Sequence, residues 1–439
     1  MTLSPLTLTS RPVVAPSRLE GLPVAIIGAG PVGLAAAAQL LERGIAVVVY
    51  EEGTQAGSAI ARWGHTRLFT PWQYLVDSAA ARLLARSGWH MPDEAYLPTG
   101  RELLDEYLLP LAALPDLAAS IRYGSTVLAV SRQGMDRTRS GDRAGTPFAL
   151  RVTTDAGVLD ASARAVIDTS GTYSSPNGLL ASGLDPARVD ALTEQVVHAL
   201  PDVLGADRAR FAGQHTLVVG AGHSAANTLI ALGTLAAEAP GTRISWAIRS
   251  ANPVRVYGSD DDELAARASL GAQVQALVRS GVVTLLERFE IDDVLPATDG
   301  VSVTGRRAGE SFAVAVDVVV SATGFRPDLA PLREIRLSLD EIVEAPRALA
   351  PLIDPNLHSC GTVPPHGVVE LTHPEPNFYI AGMKSFGRAP TFLLATGYEQ
   401  VRSIADELAG NVAAARLVQL VLPETGVCST GGDSGSCCS

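Results

Sequence analysis

The chain has 439 residues, 47% hydrophobic and 18% charged, a composition that excludes a disordered chain and supplies core for two or three domains. A formal net charge of −12 argues against a nucleic-acid or anionic-membrane partner, and no apolar run approaches the roughly 20 residues of a membrane span. All four cysteines fall at or beyond Cys360, which excludes a disulfide scaffold, and the N-terminal segment lacks a signal peptide's apolar core, so a cytoplasmic protein is expected.

Residues 1–20, rich in Pro and Ser, read as a loose arm. The apolar run Val24 to Ile27 then reads as a buried parallel strand. Gly28, Gly30 and Gly33 follow in G-x-G-x-x-G spacing, with Pro31 among them. An alanine-rich helix over Leu34 to Leu41 leads to a second strand, Ala46 to Tyr50, which ends at Glu51. A strand–turn–helix–strand–acid order has a physical purpose. The first glycine permits the tight turn, the second lets a pyrophosphate approach the backbone, and the third lets helix and strand pack closely. The helix N-terminus offers unpaired N–H groups to phosphates, and Glu51 or its neighbour Glu52 can accept from a ribose hydroxyl. A glycine-rich turn without a ligand is the weaker reading, because the full context is present.

Next come Arg62, Trp63, Arg67 and Trp72, dense for a chain that is 5% aromatic. They either wall a flat heteroaromatic ring or anchor a loop in the core. Residues 100–114 have the pattern of an amphipathic helix, and Ser125 to Val130 of a strand. Residues 131–146 hold four arginines and read as a solvated hairpin or loop, with an anion site as the alternative. Another strand, Ala165 to Thr169, runs into Ser170-Gly171-Thr172, followed by Pro176 and Asn177. Residues 178–205 form a connection without a readable period.

The opening pattern then recurs. Thr216 to Val219 reads as a strand, Gly220-Ala221-Gly222-His223-Ser224-Ala225 as the turn, the run to Ala237 as a helix and Arg243 to Ile248 as a second strand. Ala225 occupies the third glycine's place, which the fingerprint allows. That strand ends in Arg249 instead of an acid, which suits the 2′-phosphate of NADP; an ordinary surface arginine is the competing reading. His223 reads as a residue of the helix N-terminus lining phosphates in preference to a catalytic base. The strand Asp317 to Ala322 runs into Thr323-Gly324-Phe325-Arg326-Pro327, echoing residues 168–177. Residues 377–400 read as a strand (Phe378 to Ala381), then Gly382, a loop and a helix opening near Thr391, a second dipole aimed at a ligand. His358, His366 and His373 precede that strand. In the Gly/Ser-rich tail, Cys428, Cys437 and Cys438 are soft donors for a thiophilic ion, or idle thiols on a flexible arm.

Two dinucleotide units in one chain suit transfer of a hydride from a nicotinamide to a flavin. Over residues 21–410 the chain resembles the two-dinucleotide flavoproteins: thioredoxin reductase, glutathione reductase and the flavin-containing monooxygenases. The resemblance rests on Gly28-x-Gly30-x-x-Gly33 with Glu51, Gly220-x-Gly222-x-Ser224-Ala225, and Ala322-Thr323-Gly324-Phe325. It implies an α/β fold of two Rossmann-like domains, the FAD domain (21–205, returning over 331–411) and an inserted NAD(P) domain (206–330), between an arm (1–20) and a cysteine-bearing tail (412–439). It further implies FAD and NADPH as cofactors, bound through these residues together with Arg62, Trp63, Val127, Gly382 and Thr391. Gly-x-Gly-x-Ser-Ala and Arg62-Trp63 are most similar to the monooxygenase branch, which implies a small soft nucleophile and O2 as co-substrates. No histidine stands in that branch's register after Phe211-Ala212-Gly213, and no C-x-x-C or C-x-x-x-x-C pair of the disulfide reductases occurs. The whole pattern, including the tail with Cys428, Cys437 and Cys438, is similar to flavoproteins associated with bacterial arsenic resistance, which implies a trivalent arsenical as substrate. The alternatives are a reductase of a metal ion or protein partner, and a non-catalytic flavin or thiol sensor. Self-association as a homodimer is left open.

Overall fold

A computed structural model describes residues 17–257, 265–354, 363–390 and 392–420. Its architecture is one sandwich built twice. The first five-stranded parallel sheet has the order β16-β7-β1-β2-β3, with β1 at Val24–Ile27, β2 at Val47–Tyr50, β3 at Ile121–Arg122, β7 at Ala165–Asp168 and β16 at Phe378–Ile380. The second, also parallel, has the order β11-β10-β9-β15-β8: β8 is Val196–His198, β9 His215–Val219, β10 Arg243–Ala247, β11 Val283–Leu286 and β15 Val318–Ser321. Residues 178–205, silent in periodicity, thus supply the edge strand β8 to the second sheet. Three residues, the last of them a histidine, are too few to announce a strand.

Each sheet is covered by helices on one face and by a three-stranded antiparallel sheet on the other. The alternation of strand side chains decides which residue faces which layer. In β1, Val24 and Ile26 pack with the helix Pro31–Glu42 and with Leu394–Leu408, whereas Ala25 packs with Val130, Phe148 and Leu150 of β4 (Thr126–Arg132) and β5 (Phe148–Thr154), which pair with β6 (Gly157–Ala163). In β9, Val218 joins the helix His223–Glu238, while Leu217 and Val219 join β12 (Phe289–Pro296), β13 (Val301–Arg307) and β14 (Glu310–Val316). Among the described residues no helix is long and apolar enough to cross a membrane.

Two local expectations need correction. The amphipathic helix over 100–114 is interrupted by a π turn, Leu104–Leu108. Pro110 has no N–H for the Glu106 carbonyl, which accepts the Trp89 indole N–H at 2.7 Å instead. The arginine-rich stretch 131–146 is not simply solvated. Arg132 and Arg143 are buried against the Glu375 carboxylate at 2.8 and 2.7 Å, and Arg132 stacks 3.6 Å over the Phe148 ring. The carboxylate comes from the segment entering β16, so this three-residue clamp ties the antiparallel layer to the edge of the first sheet.

Candidate functional site

The two glycine turns are forced by contacts of the backbone with itself. A Cβ on Gly33 would lie 1.9 Å from the Gly28 oxygen, and one on Gly220 would lie 2.1 Å from the Ala322 oxygen. Gly30 and Gly222 are different. Each is the N-cap of its helix, each is extended, and a Cβ on either meets nothing within 4 Å. The space beside Gly30 and Gly222 is open, with Pro31 and His223 as first helical residues and Ala225 fully buried. An open helix N-terminus is what a diphosphate requires.

Glu51, not Glu52, turns into the first site. Its two oxygens accept the Ala29 N–H at 2.7 Å and the Gly53 N–H at 3.0 Å, leaving lone pairs for a ribose hydroxyl. Burial pushes its carboxyl above the ordinary value, and the two N–H donors pull it back. Glu52 is exposed and reaches only the Ser174 hydroxyl at 3.4 Å.

The segments leaving β7 and β15 cross and pair. Asn177 N–H donates to the Gly324 carbonyl at 3.0 Å, its Nδ2 to the Thr323 carbonyl at 3.1 Å, and Thr323 Oγ1 returns a bond to the Asn177 carbonyl at 3.0 Å. Tyr173 and Phe325 stack 5.4 Å apart, with the Arg62 guanidinium 4.9 Å from the Tyr173 centroid. Phe69, from the Arg- and Trp-rich segment of the first unit, lies 5.1 Å from the His223 ring at the tip of the second helix. The segments leaving the two parallel sheets therefore meet, and the tip of the second helix lies against the first unit.

Other site expectations fare unevenly. Trp63 lies against Gly100, where an added Cβ would meet its ring at 2.7 Å, and Trp72 is fully buried, so the core anchors both. Val127 is buried between β4–β6 and Tyr50. Arg67 is held by Tyr96 and the Leu97 carbonyl at the surface. Arg249 is exposed, with one long contact to the Ala181 carbonyl at 3.5 Å. Gly382 abuts Val32 of the first helix tip. The helix expected near Thr391 begins at Leu394, three residues later; Thr391 lies outside the described residues, as do Cys428, Cys437, Cys438 and His358. Among the described residues no group of side chains could hold a metal ion. His366 and His373 are buried; His366 exchanges a 2.7 Å hydrogen bond with Gln400, whose Oε1 accepts the Gly382 N–H. Sequence reasoning missed the buried pair Asp168–Lys384, 2.7 Å apart at the ends of β7 and β16. An acid closing a parallel strand was its one visible signal.

The model of the pyridine nucleotide-disulphide oxidoreductase family matches residues 25–359. No match was found among curated protein sequences. Among solved structures, bacillithiol disulfide reductase Bdr (YpdA) from Bacillus cereus is similar at 20% identity and a TM-score of 0.66, over 89% of this chain and 99% of that one. DfoA from Erwinia amylovora, a cadaverine monooxygenase bound to FAD, is similar at 15% identity and a TM-score of 0.63, over 92% and 98%. The ornithine N-hydroxylase KtzI of Kutzneria sp. 744, with reduced FAD, NADP+ and ornithine, is similar at 16% identity and a TM-score of 0.58, over 89% and 99%.

Proposed function

The chain belongs to the pyridine nucleotide-disulphide oxidoreductase family, and we propose that it binds FAD on the first unit and NADPH on the second and oxygenates a small soft nucleophile. The observation that carries this reading is the pair of open helix tips, Gly30 and Gly222, whose outgoing segments meet at Asn177 and Thr323. FAD would lie with its diphosphate at residues 28–33 and its ribose at Glu51; NADPH would lie at residues 220–225 with its 2′-phosphate at Arg249. FAD supplies the redox chemistry when bound. The residues of the chain position two rings and keep water away from the cleft, with Phe69, His223, Tyr173 and Phe325 as its walls. The lack of a C-x-x-C or C-x-x-x-x-C pair in the sequence favours oxygenation over dithiol reduction. The monooxygenases DfoA and KtzI share the fold.

A reductase passing electrons to a metal ion or protein partner is the second reading, favoured by the likeness to a disulfide reductase and by the soft thiols of the tail. Flavin absorbance, NADPH oxidation and oxygen uptake decide between them, measured with sulfide, amine and arsenite as substrates. Coupled NADPH and O2 consumption, accelerated by substrate, is expected. Turnover that persists anaerobically once an acceptor is added would replace the oxygenase reading with the reductase one.

A further inference from the structure

Lys384 is the only lysine in the chain, against 33 arginines. It stands on the turn Gly382–Phe386 after β16, with its side chain 3% exposed. Its ammonium donates to Asp168 Oδ2 at 2.7 Å and to Ser170 Oγ at 3.0 Å. The second Asp168 oxygen accepts the Ser170 N–H at 3.1 Å and its hydroxyl at 2.7 Å. An ammonium has three N–H donors, and no described residue accepts the third. An unspent buried donor is costly in a site with no ligand. A compact, rotatable point charge is also what a guanidinium cannot imitate.

The direction of the dinucleotide places Lys384 near its reactive half. Glu51 ends β2 on one side of β1, and the helix tip stands over β1 itself. A dinucleotide with its ribose at Glu51 and its diphosphate at Gly30 therefore extends its other half over β7 and β16. Both supports of Lys384 touch the phosphate turn on that side. Ser170 Cα would be 3.1 Å from a Cβ on Gly28, and a Cβ on Gly382 would be 3.2 Å from Val32 Cγ2.

We propose that Lys384 is an electrostatic positioning residue for the flavin half of FAD, which takes the third N–H, and that its charge favours the reduced, anionic ring. The proposal rests on the FAD reading of the first unit. Charge near the ring is a recognised way for protein to set flavin electronics.

The test is the flavin midpoint potential of the FAD-loaded protein, by dye equilibration, for wild type, Lys384→Met and the double variant Lys384→Met with Asp168→Asn. The double variant leaves no stranded carboxylate, so it preserves the fold if the single one does not, and it separates loss of the cation from exposure of the anion. The reduction equilibrium is expected to fall about tenfold in the double variant, about 30 mV for a two-electron couple, and further in Lys384→Met, where the Asp168 carboxylate is left uncompensated. Potentials equal to wild type in a folded, FAD-loaded variant overturn the proposal, even if FAD affinity has changed. A wild-type chain that takes up no FAD overturns the proposed function instead.

Discussion

The side chain of Asn177 donates to the Thr323 carbonyl at 3.1 Å, and the Thr323 hydroxyl donates back to the Asn177 carbonyl at 3.0 Å. One residue follows the strand that leaves the first sheet, and the other follows the strand that leaves the second. These bonds, with the Asn177 N–H to the Gly324 carbonyl and the Arg326 N–H to the Ser175 carbonyl, tie the two outgoing segments together, and under the two-cofactor reading they help set the distance between the bound rings. Close approach and orientation of reactants govern such a transfer.

Replacing Asn177 by Ala therefore should affect coupling more than binding. The lost side-chain bonds are worth about 1–2 kcal/mol of stability. Stopped-flow bleaching of the flavin by NADPH is expected to slow about tenfold, a barrier change of about 1.4 kcal/mol, with the FAD dissociation constant little changed. Unaltered bleaching would show that the join does not set the geometry of transfer.

The glycines of each turn divide into two kinds with opposite expected phenotypes. Gly30→Ala and Gly222→Ala place a methyl group in open space, so the melting temperature should change little. The first should weaken FAD and the second NADPH by about tenfold or more, about 1.4 kcal/mol. Gly33→Ala drives a methyl group into the Gly28 carbonyl and should lower stability by about 3 kcal/mol. Isothermal titration with each nucleotide, beside thermal melts, checks both halves. Equal nucleotide affinity in Gly30→Ala would remove the diphosphate from that helix tip.

Arg249 is expected to act on the choice of nucleotide alone. Its exposed guanidinium has one long contact within the chain, and a charge-assisted bond to a phosphate is worth about 1.5–3 kcal/mol. Arg249→Ser should reduce kcat/KM for NADPH about ten- to hundredfold and leave that for NADH nearly unchanged. Parallel losses with both nucleotides would assign Arg249 a structural role.

His373 supplies a pH dependence whose sign is fixed. Burial pushes its imidazole down to about 4; Nδ1 accepts the Ser338 N–H, and Nε2 is buried without a partner. The folded state resists a proton that the unfolded chain accepts. Stability is thus complete above the ordinary histidine range and falls as pH drops from about 6.5 toward 4. At about 1.4 kcal/mol per pH unit the loss reaches at most about 3.5 kcal/mol. Urea midpoints across that window should fall less steeply for His373→Phe. Equal slopes would assign the acid sensitivity elsewhere.

The Glu375 clamp gives a further expectation. Burial alone would raise this carboxyl, but hydrogen bonds from Arg143 and Arg132 hold it below the ordinary value. Glu375→Ala leaves two buried guanidinium groups uncompensated and should cost about 3–5 kcal/mol, read as a shift of the urea midpoint. A loss below about 1 kcal/mol would show that water enters and replaces the carboxylate.

What the sequence disclosed and what it hid follow from distance along the chain. Gly28 to Gly33 carries its constraint within a few residues, and Gly220 to Ala225 repeats its spacing although Gly220 is held by the distant Ala322 carbonyl; the strands β1, β2, β7, β9, β10, β15 and β16 and both helix tips were therefore legible, whereas β3, β8 and β11 were not. Asn177 and Thr323 were visible as an echo of two segments, though not as a contact. Arg132 and Glu375 are separated by 243 residues and Asp168 and Lys384 by 216. No local pattern states that such charges will meet. An arginine-rich stretch therefore read as solvated, although two of its guanidinium groups are buried. Trp63 and Trp72 were compatible with a ring wall and with core anchors alike, because aromatic density has the same signature in a core and in a site.

The solitary Lys384 has a practical consequence. With its side chain 3% exposed, the folded surface presents no lysine to an acylating reagent, and crosslinkers that bridge lysine pairs find no second lysine in these 439 residues. Labelling at that position reports the opening of the sheet edge itself, giving a built-in gauge of local unfolding beside the cofactor.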